Sequence, residues 1–148
     1  IAGLEEPSVG TVQLSGDGAG RRLGQVGYMH QKDLLLPWRT VLDNAILGLE
    51  VQGVRRTEAR RRALDLTERF GLGGFEHHYP FALSGGMRQR TAFLRTMLAG
   101  RSLILLDEPY RDQGFSGHQD FPTTRPYEGQ RICRVNRLEN HNPGLAHR

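Results

Sequence analysis

An α/β fold with a parallel sheet, short β segments at its start and a helical middle follows from three features of the sequence. Ser102-Leu103-Ile104-Leu105-Leu106 is a short, continuous apolar run, as a strand covered on both faces of a parallel sheet requires. Amphipathic helical spacing occupies much of the stretch from 40 to 100. Two short alternating segments, separated by glycines, precede both.

In chain order, Thr11-Val12-Gln13-Leu14 and Gln25-Val26-Gly27-Tyr28-Met29 read as strands. Ser15–Gly20 between them is a connector, because neither Lys-Ser nor Lys-Thr follows its glycines and no helix starts there. Thr40 stands three residues before Asp43, a spacing in which each side chain can satisfy a free amide of a first helical turn. Val41, Ala45, Ile46 and Leu49 then share one face. Thr57 is expected to cap a second helix with the stripe Ala59, Ala63, Leu66 and Phe70, closed by a left-handed Gly71. After a loop to Pro80, residues 83–90 (Leu-Ser-Gly-Gly-Met-Arg-Gln-Arg) open a third helix, apolar at Met87, Leu94 and Leu98 and ending at Gly100. The apolar run that follows terminates in Asp107-Glu108-Pro109. Proline cannot donate to a ladder, so two carboxylates are left at the C-terminal edge of a strand, where open α/β sheets bind ligands.

From Arg111 the character changes. Ile132, Val135, Leu138 and Leu145 are the only branched aliphatic residues, and Gly, Pro, Arg, Asn and His abound. Ile132, Val135 and Leu138 have the spacing of one amphipathic turn, and the rest of 111–148 reads as a poorly ordered tail.

The 148 residues, 37% hydrophobic with 19 glycines, suit one soluble domain. The longest apolar runs, Leu34–Leu36 and Leu103–Leu106, are far short of the ~18 residues of a membrane span. No basic-then-apolar signal opens the chain. The single cysteine, Cys133, excludes a disulfide framework, and a reducing, cytoplasmic setting is expected. The net charge of +4 invites a nucleic-acid reading, but the basic residues are scattered among acids. The densest cluster, Arg60-Arg61-Arg62, lies beside Glu58, Asp65 and Glu68 as a solvated helix face would, so no nucleic-acid partner is expected.

The candidate chemistry lies in 83–109. A serine N-cap followed by two glycines brings backbone close to a ligand, and a helix N-terminus offers free amides to an anion. Taken alone, Ser84-Gly85-Gly86 reads equally as a plain capped helix. Joined to a strand ending Asp107-Glu108-Pro109, it resembles the nucleotide-binding subunit of ATP-binding-cassette (ABC) transporters. Leu83–Met87 resembles the family's signature motif, Leu103–Pro109 its Walker B strand, and Gly27-Tyr28-Met29-His30-Gln31 its Q-loop. Residues 32–41 (Lys-Asp-Leu-Leu-Leu-Pro-Trp-Arg-Thr-Val) continue as in nitrate, sulfonate and taurine importers, and Ile1–Pro7 is similar to the stretch after the family's P-loop helix.

The resemblance implies a partial P-loop NTPase fold over 1–110, with a small antiparallel β piece at its start, a helical subdomain at about 38–82 and the signature helix and Walker B strand at 83–110. It implies ATP and Mg²⁺ as cofactors: Asp107 and Gln31 at the metal, Glu108 as general base, Gln31 as γ-phosphate sensor, and Ser84, Gly85, Gly86 and Gln89 at a nucleotide. Implied partners are a second cassette paired head-to-tail, transmembrane permease subunits near Leu36-Pro37-Trp38 and, indirectly, a solute-binding protein. The implied location is the inner face of the plasma membrane. An exposed Trp38 suits a protein contact, and core packing is the other reading.

Two departures shape the expectation. No Gly-x-x-x-x-Gly-Lys-Ser/Thr occurs, so the Walker A region is missing from these residues. After Tyr110 neither a D-loop nor a buried strand can be read, and His141 stands near the place of the family's switch histidine without a strand before it. The chain is therefore expected to be a fragment of an ATP-hydrolysing importer subunit, inactive alone and with an under-filled core. The alternative is a non-catalytic remnant, or a truncated or frameshifted gene product, that binds no nucleotide.

Overall fold

The computed structural model describes residues 2–12, 14, 22–107 and 131–135. Its sheet is built from β1 (Val26–Met29), β2 (Leu103–Asp107) and β3 (Arg131–Val135), in the order β1-β2-β3 and wholly parallel. Val26 stands opposite Leu103 and Met29 opposite Leu106, so β1 and β2 reach the same edge together. On the other side Leu103 pairs with Arg131 and Asp107 with Val135.

The crossover from β1 to β2 holds the helices: α1 (Val41–Ala45), α2 (Leu47–Val51), α3 (Arg56–Thr67), a 3₁₀ turn at Pro80–Ala82, and α4 (Gly85–Leu98). Thr40 caps α1 as its spacing predicts, its hydroxyl accepting from the Asp43 amide at 3.2 Å. The return half of the box is absent, because the Asp43 carboxylate is drawn instead to Arg60 at 2.7 Å and Arg56 at 2.8 Å. The predicted faces are the buried ones: Val41, Ala45, Ile46 and Leu49 on α1–α2, and Ala59, Ala63, Leu66 and Phe70 on and after α3. Gly71 closes α3 at φ +61°. Its amide donates to Glu68 at 2.9 Å and that of Leu72 to Thr67 at 2.8 Å, the paired bonds of a Schellman end.

Helix α4 is central. Leu94 and Leu98 are buried as expected, Met87 packs at the margin, and Ala92, Phe93 and Met97 are buried beside them. One flank meets the helices, with the Phe70 and Phe93 rings 5.8 Å apart. The other lies on β1, where a Cβ at Gly27 would stand 3.2 Å from Thr96 Cγ2. One apolar core therefore joins Met29, Ile104 and Leu106 of the sheet to all the helices.

Three expectations are corrected. Thr57 does not cap α3: the helix begins at Arg56, with Arg55 at the cap and its carbonyl taken by Ala59 at 2.9 Å. Ion pairs from Arg56 and Arg60 to Asp43 tie the helix start to α1, a tertiary constraint that outweighs the local capping preference. Secondly, Thr11, Val12 and Leu14 lack regular structure, and every strand pair among the described residues is parallel. Gln13, the connector Ser15–Gly20 and Arg21 lie outside the described residues, and the expected antiparallel piece has no counterpart among those described. Thirdly, Ile132 and Val135 belong to strand β3 rather than an amphipathic turn. An uncovered edge of β2 offers a full row of backbone donors and acceptors, and five residues are too few for periodicity to separate the two states.

Candidate functional site

Parallel pairing decides what meets at the sheet edge. β1 and β2 end side by side, so His30 and Gln31 leave the sheet where Asp107 terminates β2. The Tyr28 hydroxyl reaches across from β1 and donates to Asp107 Oδ2 at 2.8 Å. Burial, then this bond and the carboxylate's charge, raise the phenol's pKa above its ordinary value. One carboxylate oxygen of Asp107 is thus held from within the sheet. Sequence reasoning missed Tyr28, because its relation to Asp107 depends on strand order, which alternation does not encode. Glu108 and His141 lie outside the described residues.

Ser84 stands at the start of α4 with an exposed side chain, and its hydroxyl accepts from the Met87 amide at 3.3 Å. Helix geometry leaves the amides of Gly85 and Gly86 without intrahelical acceptors. One turn further on, Gln89 points inward: its Nε2 donates to the Gln31 carbonyl at 3.1 Å, and its Oε1 is buried without a partner among the described residues. The structure therefore brings Gln89 to Gln31, and Gln31 to the edge that carries Asp107. Ser84, Gly85 and Gly86 make no bond to either among the described residues. No cluster of three or more His, Cys, Asp or Glu side chains able to hold a metal occurs among the described residues. A carboxylate at this edge fits Mg²⁺, which binds through one or two carboxylates and usually keeps several waters.

A second surface lies beside the helices. Trp38 is 71% exposed, which settles the open choice against core packing. The Tyr79 and Phe81 rings stack 5.9 Å apart with 5° between their planes, and Phe81 is 84% exposed. Bonds from the amides of Val41 to His78 (2.9 Å) and Leu42 to Glu76 (3.0 Å) tie the loop before these rings to the start of α1, just after Trp38. No helix among the described residues is long and apolar enough to cross a membrane.

The family model described as ABC transporter matches residues 1–111. Among curated proteins the chain is 51% identical over 110 residues to the formylaminopyrimidine import ATP-binding protein ThiZ of Halalkalibacterium halodurans, covering 74% of this chain and 42% of that one. It is 41% identical to the taurine import ATP-binding protein TauB of Yersinia pestis bv. Antiqua, covering 74% and 43%. It is 46% identical to the aliphatic sulfonates import ATP-binding protein SsuB 1 of Rhodococcus jostii, covering 74% and 41%. The chain thus spans less than half the length of these relatives. Among solved structures it is similar to a dimeric, post-hydrolysis ATP-binding cassette, MJ0796, bound to ADP and Pi. That match has a TM-score of 0.54 and 33% identity, covering 59% of this chain and 39% of that one.

Proposed function

Because the chain belongs to the ABC transporter family, we propose that it is the signature-helix and Walker B portion of an importer's ATP-hydrolysing subunit, energising uptake of a small solute of the nitrate, sulfonate or taurine kind. The observation that carries this reading is the meeting, at one sheet edge, of Asp107 with the loop of Gln31, which α4 grips one turn behind its Ser84-Gly85-Gly86 start.

Bound Mg-ATP would supply the phosphoryl group and the charge neutralisation that its transfer requires. The residues of this chain then divide the remaining work. Asp107, whose Oδ2 accepts from Tyr28, would hold the metal ion through water. Glu108 accepts the proton of the attacking water. Gln31 would sense the γ-phosphate and the metal ion. Ser84 and the amides of Gly85 and Gly86 would hold the γ-phosphate bound by a second cassette in a head-to-tail pair, where a helix N-terminus stabilises anionic charge. Trp38, Tyr79 and Phe81 form the contact with transmembrane permease subunits, which place the protein on the inner face of the membrane and adjoin a solute-binding protein.

These 148 residues contain no Gly-x-x-x-x-Gly-Lys-Ser/Thr cradle, so the isolated chain is expected to turn over no ATP. Saturable Mg-ATP hydrolysis by the purified chain, abolished by Glu108→Gln, would overturn that expectation. The signature role has its own test. Mixed with a P-loop-bearing taurine-importer cassette trapped on Mg-ATP, the chain should co-elute as a heterodimer, and Ser84→Glu should abolish the pairing. No co-elution, or pairing indifferent to Ser84→Glu, would sink the reading.

A further inference from the structure

Between Gln31 and Trp38 the backbone takes a course that local preference does not explain. Leu34 has φ +46°, the only positive φ of a non-glycine residue among the described residues. A left-handed leucine is disfavoured about tenfold or more. Its side chain is 55% exposed, so packing does not compel the conformation. Backbone bonds do. From the last turn of α4, Arg95 donates through Nη2 to the Asp33 carbonyl at 2.8 Å and through Nη1 to the Leu34 carbonyl at 2.9 Å. Arg88, two turns earlier on the same face, holds Asp33 Oδ2 at 3.1 Å, and Asp33 Oδ1 accepts from the Leu35 amide at 3.2 Å. Gln89 completes the set on the Gln31 carbonyl. Beyond Leu34 the segment is anchored again, where the Leu36 amide donates to Asn44 Oδ1 at 2.8 Å.

We infer that Arg95 is a positioning residue for the Gln31 segment: its forked guanidinium holds Leu34 in the left-handed region and so fixes the segment to α4, the helix that carries Ser84-Gly85-Gly86 at its other end. Arg88 and Gln89 steady the near half of the same segment. Displacing Gln31 then requires α4 to move with it or Arg95 to let go, whereupon Leu34 relaxes to negative φ and the path to Trp38 changes. A planar fork that meets two successive carbonyls suits arginine in a way a single ammonium cannot match. The inference gives a mechanical consequence to the proposed sensor role of Gln31, while the clamp itself is read without nucleotide.

The test uses the whole chain and two observables: hydrogen-exchange protection of the amides at 32–36, and acrylamide quenching of Trp38, the sole tryptophan. Arg95→Met should lower protection at 32–36 about tenfold and raise Trp38 quenching, with α1 and α3 amides unchanged. Arg95→Lys should restore part of both. Asparagine tolerates the left-handed region, so in a Leu34→Asn background the effect of Arg95→Met should fall to less than half. Unchanged protection in Arg95→Met, or an equal effect in both backgrounds, would overturn the inference. Should Arg95→Met not fold, Arg95→Lys carries the test: a severalfold loss confined to 32–36 supports the clamp, and none overturns it. Unchanged protection removes the clamp even in a chain that binds Mg-ATP, and a confined loss supports it even where Gln31 senses no phosphate.

Discussion

Asn44 is fully buried and every polar atom of its side chain is used. Oδ1 accepts from the Leu36 amide at 2.8 Å, and Nδ2 is shared among the carbonyls of Leu36 at 3.1 Å, Arg39 at 3.0 Å and Thr40 at 3.0 Å. Asn44→Ala would leave the Leu36 amide and the Arg39 carbonyl without this partner, while the Leu36 and Thr40 carbonyls keep their backbone donors, so a loss of about 2–4 kcal/mol is expected in urea denaturation. Asp43, its neighbour, faces the other way. Burial pushes its carboxyl up, but hydrogen bonds and charge from Arg60 and Arg56 outweigh that and hold its pKa below the ordinary 3.8. A carboxyl more acidic in the folded than in the unfolded chain supplies stability that is intact above 3.8 and is lost as pH falls below it. Both arginine partners are about half exposed, so Asp43→Asn should cost only about 1 kcal/mol at neutral pH. The variant should also lose part of the acid-side slope in a urea-midpoint series against pH. The pairing of Asp43 with Arg60 was not legible in advance: the Thr40–Asp43 spacing points to a local cap, and only the approach of α3 offers a stronger partner.

At the scale of elements, helix ends were the most readable features where glycine or serine governs them. Gly71 and Ser84 do what their types dictate, because a left-handed end needs a residue without a Cβ and an N-cap needs a short acceptor. Gly71→Ala is expected to cost about 1–3 kcal/mol in the same denaturation assay. The φ of +61° strains any L side chain, and the new Cβ would stand 2.5 Å from Arg90 Nη1, whose tip must move. Ser84→Ala should cost about 1 kcal/mol through the lost cap. The start of α3 was misplaced for the opposite reason. No residue type compels it, and ion pairs to α1 set where the first turn forms. β3 escaped sequence reading because Arg131–Val135 carries no apolar alternation, and its place depends on an edge of β2 that lies nearly thirty residues away.

Across the whole molecule, two surfaces share one scaffold. α4 supports both the edge with Asp107 and, through the bonds to 31–34, the stretch that leads to the exposed Trp38. A residue so exposed contributes little to the fold. Trp38→Ala should therefore leave the urea midpoint within about 0.5 kcal/mol of the parent while weakening capture by permease-containing membrane vesicles. A large loss of stability would instead return Trp38 to the core.

Acting alone, the sequence determined the apolar faces, the glycine and serine helix ends, the apolar strand ending in Asp107 and the motif pairing that points to a nucleotide, because each depends on residue type within a few positions. Tertiary structure decided which groups meet: Tyr28 with Asp107, Gln89 with Gln31, Arg95 with Leu34, and β3 with β2. Those contacts join positions tens of residues apart. Strand order, register and helix approach bring them together, and these are set by burial over the whole chain rather than by any local pattern.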